Sequence, residues 1–180
     1  MIEQTLDITT AAGPMETFYC RPERGGPHPA VFFLMDAPGI REELRDMARR
    51  LATSGYCMSG PYALAAAARF PARIAAAASF YGTWLVSDAV ESPHLNLGKA
   101  NGELYIGCAE HDELAPLNMV EELRGLFNTS NNPGELEIYP GVHHGYAFPQ
   151  RWCYDKMAAE RHWERLLALY QRRLPQRAAT

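Results

Sequence analysis

Apolar and polar positions change period along this chain, and each change marks an element. Gln4 to Thr9 alternates around Leu6 and Ile8, and Met15 to Cys20 alternates again after Ala12-Gly13-Pro14, which predicts a hairpin. Ala30 to Leu34 (AVFFL) is a continuous apolar run behind the breaker-rich PERGGPHP, the pattern of a strand buried on both faces of a parallel sheet. From Arg41 the spacing turns helical. Ile40, Leu44, Met47 and Leu51 form one stripe, and the helix they predict ends near Gly55. Pro61 suits a first helical turn, so Tyr62 to Phe70 reads as a short helix stopped by Pro71. Strands are predicted at Ile74 to Phe80, Glu103 to Cys108 and Leu136 to Tyr139, with residues 83 to 101 as loop. Pro116 to Phe127 and a long closing stripe through Trp152, Ala159, Trp163, Leu166 and Tyr170 are predicted helices. Alternating strands and helices imply a layered α/β fold with parallel pairing.

Composition narrows this to an ordinary globular chain. Its 180 residues suit one domain spanning 1–180, and 47% apolar with 11% aromatic residues supply a substantial core. A net charge of -4, with Lys and Arg scattered outside Arg49-Arg50 and Arg172-Arg173, gives no basic face for nucleic acid. The alanine-rich stretch from Ala63 is broken by Arg69, Pro71 and Arg73, so no run approaches the ~18 apolar residues of a membrane span. The start, MIEQTLDITT, lacks a basic region followed by an apolar run, and a cytoplasmic protein is expected. Cys20, Cys57, Cys108 and Cys153 lie far apart without a CxxC pair, which disfavours a disulfide framework or a zinc ribbon.

Reactive side chains gather in three loops after predicted strands, the edge where open α/β sheets bind ligands. Gly55-Tyr56-Cys57-Met58-Ser59 has small residues two before and two after a cysteine, as a nucleophile elbow requires where a strained turn meets a close-packed helix. The elbow sets Cys57 at a helix N-terminus, whose free N–H groups favour a thiolate. Asp112, in Ala109-Glu110-His111-Asp112, is the candidate acid that orients a base. It equally suits a cap for the helix beginning near Pro116. Pro140-Gly141-Val142-His143-His144-Gly145 is a tight turn able to aim an imidazole at the cysteine. Nucleophile, acid, histidine is the chain order of α/β-hydrolases, so Cys57, Asp112 and His144 form a candidate triad. The bland alternatives are a buried structural thiol, and a surface histidine pair or fortuitous metal site with His111 and Cys108.

The motifs GYCMSG from Gly55, GCAEHDELAP from Gly107, YPGVHHGYAF from Tyr139 and FLMDAPGI from Phe33 together resemble the dienelactone hydrolase family of α/β-hydrolases. The resemblance implies a three-layer, mostly parallel sheet and a Cys-His-Asp triad that hydrolyses esters or lactones. It selects His144, directly before Gly145 and an aromatic residue, over His143. It further implies an oxyanion hole from the N–H groups of Met58 and Ala37, with Asp36 as the acidic residue that interacts with the resting cysteine. No metal or organic cofactor is implied, and the partner is a small-molecule ester or lactone.

One block of the family pattern is absent. Between the helix ending near Ser54 and Cys57 the reading leaves no strand, where the family has a strand and crossover helix and then a strand running into the elbow; such a block takes at least ~30 residues. The expectation is an incomplete sheet with central strands missing and a join at 55–57. Of the two arginines with which the family holds a substrate carboxylate, one falls in the absent block and the other falls at Phe148. The competing functional reading is therefore a non-catalytic remnant of the fold, stabilised by self-association.

Overall fold

Continuous apolar runs become the middle of a parallel sheet. The computed structural model describes residues 2–21, 23, 33–34 and 54–174. Among them, β3 (Phe33–Leu34), β4 (Ser54–Tyr56), β5 (Ala76–Phe80), β6 (Glu103–His111) and β7 (Gly134–His143) lie side by side in that order. Every neighbouring pair is parallel. The helices are α1 (Gly60–Arg69), α2 (Leu117–Thr129) and α3 (Lys156–Arg173). A separate ribbon pairs β1 (Ile2–Thr10) with β2 (Gly13–Arg21) antiparallel, which is the expected hairpin with longer arms. The helix expected from the stripe at Ile40 to Leu51 lies outside the described residues, as do Asp36 and Ala37.

Side chains alternate across the sheet and build two cores. Along β6, Leu104, Ile106 and Cys108 pack toward Leu64 and Ala67 of α1 and Val120, Leu123 and Phe127 of α2. Tyr105 and Ala109 point the other way, toward Leu166, Leu169 and Tyr170 of α3. The result is the expected three-layer arrangement of a mostly parallel sheet between helices. Helix α3 begins at Lys156 because the Asp155 side chain accepts from Ala158 N–H at 2.8 Å. Its outer edge is fastened by Arg172 and Arg173 to Glu103, and by Arg161 and Arg165 to Glu137.

Two expectations are corrected. A short strand, β4, does precede the cysteine, where the helix was expected to run directly into the elbow. Its residues Ser54, Gly55 and Tyr56 are all buried, and it pairs with β3 through Phe33↔Ser54 and with β5 through Tyr56↔Phe80. Three residues are too few to show a period, so the pattern concealed it. Residues 83–101 also contain a 3-10 turn, Pro93–Lys99, within the expected loop.

Tyr56 ties this strand to α3. His162 Nδ1–H donates to Ala159 O at 3.1 Å, which leaves Nε2 to accept from the buried Tyr56 hydroxyl. Burial pushes the His162 imidazole down to about 3 from its ordinary 6.5, so it stays neutral in the folded chain. The sign follows directly. Below 6.5 the unfolded chain takes up a proton that the folded chain refuses, so stability falls as pH drops from 6.5 toward 3. Urea unfolding at pH 5 is expected to read about 2 kcal/mol less stability than at pH 7 from this group, and His162→Gln is expected to flatten that slope.

Candidate active site

The elbow is held shut by its own small residues. Cys57 takes a left-handed backbone, φ 55, at the junction of β4 and the helix that follows. This conformation is costly for any residue but glycine and persists only where neighbours enforce it. Ser59 is the enforcer. Its Oγ accepts from Tyr56 N–H at 2.8 Å, and its hydroxyl hydrogen lies within reach of the carbonyls of Tyr56 at 2.8 Å and Leu34 at 3.0 Å. A Cβ at Gly55 would stand 2.2 Å from the Ser59 carbonyl oxygen, so only glycine allows the turn to close. The sequence pattern anticipated small residues at 55 and 59; the serine's role as a clamp across β3, β4 and the turn was not visible in it.

Asp112 and His144 arrive from the ends of β6 and β7. The Asp112 side chain is fully buried, and its Oδ2 is 2.7 Å from His144 Nδ1. Its Oδ1 accepts from Leu114 N–H at 2.9 Å and Ala115 N–H at 3.2 Å, so the capping reading and the orienting reading are both realised. Nδ1–H donates to the carboxylate, which leaves the buried Nε2 as the ring nitrogen turned inward. Burial lowers the His144 pKa, but the Asp112 hydrogen bond and the neighbouring Cys57 side chain outweigh it, and the pKa is pushed up to about 9. The structure thus brings Asp112, His144 and Cys57 into mutual influence. An imidazole of this kind is poised to hold a proton opposite a thiolate and to surrender it to a leaving group.

Two contacts steady His144 that the sequence did not disclose. The buried Tyr81 presents an edge to His144, with ring centroids 5.1 Å apart. Cys153 Sγ–H donates to the His144 carbonyl at 3.1 Å. Tyr81 is distant in sequence and Cys153 follows in the same loop, and neither belongs to a motif. Tyr81 itself sits at φ 38 and Trp84 at φ 50, so three of the four described non-glycine residues with left-handed backbone border this site. The fourth is Asn131.

The remaining expected residues are distributed as follows. Met58, half exposed, follows the cysteine in the elbow. Asp36 and Ala37 fall outside the described residues. Phe148, at the position where the family has an arginine, is fully buried against Tyr56 at 5.6 Å between centroids. It is core. The rings of His111 and His143 lie 5.2 Å apart, and among the described residues no group of three His, Cys, Asp or Glu side chains is arranged to hold a metal ion. None of the four cysteines is in a disulfide, and burial pushes the Cys108 thiol up to about 12, which makes it inert. No helix among the described residues is long and apolar enough to cross a membrane.

Comparison with known proteins gives a consistent picture. Residues 51–174 match the sequence profile of the dienelactone hydrolase family. A Synechocystis protein assigned as a carboxymethylenebutenolidase is 29% identical over 124 residues, which is 67% of this chain and 49% of that one. This chain therefore spans about half the length of such relatives. The crystal structure of a Klebsiella pneumoniae protein assigned as a dienelactone hydrolase superposes with a TM-score of 0.86 at 20% identity, over 94% of this chain and 98% of that one. The dienelactone hydrolase-like promiscuous phosphotriesterase P91, from metagenomic libraries, gives 0.58 at 18% identity, over 68% and 52%. The fold is α/β-hydrolase-like, and the Klebsiella chain shares its compact extent.

Proposed function

Because the chain belongs to the dienelactone hydrolase family, we propose that it hydrolyses esters or lactones through Cys57, His144 and Asp112. The observation that carries this reading is the joint hold on one imidazole: Asp112 bonds its Nδ1 at 2.7 Å, and the Cys57 side chain helps to raise its pKa to about 9.

In this reading the Cys57 thiolate attacks the carbonyl carbon of the ester, forming a C–S bond and a tetrahedral oxyanion. The N–H groups of Met58 and Ala37 receive that oxyanion, and the first turn of α1 adds its N-terminal dipole. Collapse breaks the bond to the alkoxide, which takes the proton from the His144 imidazolium. Water, deprotonated by His144, then attacks the thioester and releases the acid, returning thiolate and imidazolium. Asp112 stabilises the imidazolium and fixes its tautomer. Asp36 interacts with the cysteine between turnovers. No step calls for a metal or an organic cofactor, and the chain acts as a small-molecule hydrolase in the cytoplasm.

Trapping the intermediate tests the proposal. Mixing the protein with p-nitrophenyl acetate and quenching in acid is expected to leave one acetyl group, mapped by peptide mass spectrometry to Cys57. Acetylation spread over several thiols, or absent from Cys57, would rule the mechanism out.

A further inference from the structure

The loop after β5 carries the most exposed aromatic side chain bordering the elbow, and the mechanism above leaves it unused. Thr83 N–H donates to the Cys57 carbonyl at 3.3 Å, and Trp84 N–H donates to the Leu114 carbonyl at 3.4 Å. Leu114 in turn donates its N–H to Asp112. Trp84 is therefore strung between the backbone of the nucleophile and the loop of the acid. Its left-handed backbone is strained, yet its indole gains no burial in return, remaining 63% exposed. Strain retained without burial is a mark of functional positions. Leu114 and Met58, each 42% exposed, accompany it, so each of these three loops presents one uncharged apolar side chain to solvent. Glu113, exposed beside Leu114, makes that rim unfavourable for an anion.

We infer that Trp84, backed by Leu114, sets acyl-group specificity, selecting uncharged esters whose acyl part is an aromatic ring or an alkyl chain of several carbons. The acyl portion is singled out because it stays bonded to Cys57 through both half-reactions, and Thr83 N–H ties this loop to the Cys57 carbonyl. This inference rests on the ester-hydrolase reading of the same site.

The test compares p-nitrophenyl acetate with p-nitrophenyl hexanoate, which share a leaving group, in wild type, Trp84→Phe and Trp84→Gly. Glycine relieves the backbone strain while removing the ring. The ratio of kcat/KM for hexanoate over acetate is expected to fall about tenfold in Trp84→Gly and much less in Trp84→Phe. Because a ratio does not depend on the fraction of folded enzyme, a merely structural role would not move it. A ratio within about twofold of wild type in Trp84→Gly would overturn the inference. Should wild type cleave neither ester, the hydrolase reading fails first, and binding decides the matter separately. Hexyl p-nitrophenyl ether, which cannot be cleaved, is then expected to quench indole fluorescence in wild type and to bind about tenfold more weakly to Trp84→Gly. Equal affinity for the two proteins would sink the Trp84 assignment on its own.

Discussion

Cys57→Ala is expected to reduce p-nitrophenyl acetate turnover at least ~10³-fold, leaving only what binding and the oxyanion donors contribute. The sulfur is the sole protein atom in the proposed cycle that forms a bond to substrate, so no neighbour can substitute for it. Asp112→Asn is expected to cost less but to act through two routes. It withdraws the leading influence that raises the His144 pKa, so that pKa drops from about 9 toward its ordinary value, and it loses control of the ring tautomer. A histidine NMR titration of the variant reads the first effect and the kcat of the same preparation reads the second. The linkage sign is opposite to that of His162. A pKa raised in the folded chain stabilises fully below 6.5, and that stabilisation is lost as pH rises through about 9. Slow turnover that survives Cys57→Ala, together with a dimer on sizing, would instead identify the remnant stabilised by self-association.

How much of this was legible in the sequence differs between the fold and the site, and for physical reasons. Leu104, Ile106 and Cys108 fall on one face of β6 and Tyr105 and Ala109 on the other, all buried, which is why the run reads as a parallel strand. The ends of strands were harder. Pro140 and Gly141 look like breakers after Tyr139, yet β7 continues to His143, partly because the Gly141 N–H donates to the Glu110 side chain where the register shifts. A carboxylate there replaces a ladder bond, and no local pattern announces that substitution. β4 was hidden by brevity alone.

The triad residues were readable because the fold constrains their order along the chain, and their loops all leave the same edge of the sheet. The supporting contacts were not. Tyr81 reaches His144 from another loop and Cys153 from further along its own, and a serine chosen for being small carries no sign that its hydroxyl will bridge Tyr56 and Leu34. Reactive chemistry is thus visible in residue type and spacing, whereas the rigidity that makes it effective is a property of tertiary contacts.

Gly55→Ala is the structural counterpart of the nucleophile variant. The added methyl would sit 2.2 Å from the Ser59 carbonyl oxygen and 2.6 Å from its carbonyl carbon, both backbone atoms in the turn that Ser59 closes. No side-chain rotation relieves such an overlap; either β4 must move off β5 or the elbow must open. A loss of about 3 kcal/mol or more is expected in urea unfolding, with ester turnover falling as far as the left-handed geometry of Cys57 is lost. Gly125→Ala provides the control. It lies in α2 with nothing within 4 Å of the new methyl, so the same chemical change should stabilise by roughly 0.5–1 kcal/mol. If the two variants unfold at the same urea concentration, the tight contact between Gly55 and Ser59 is not what maintains the elbow, and the strain at Cys57 must be held by the β3 and β5 ladders alone.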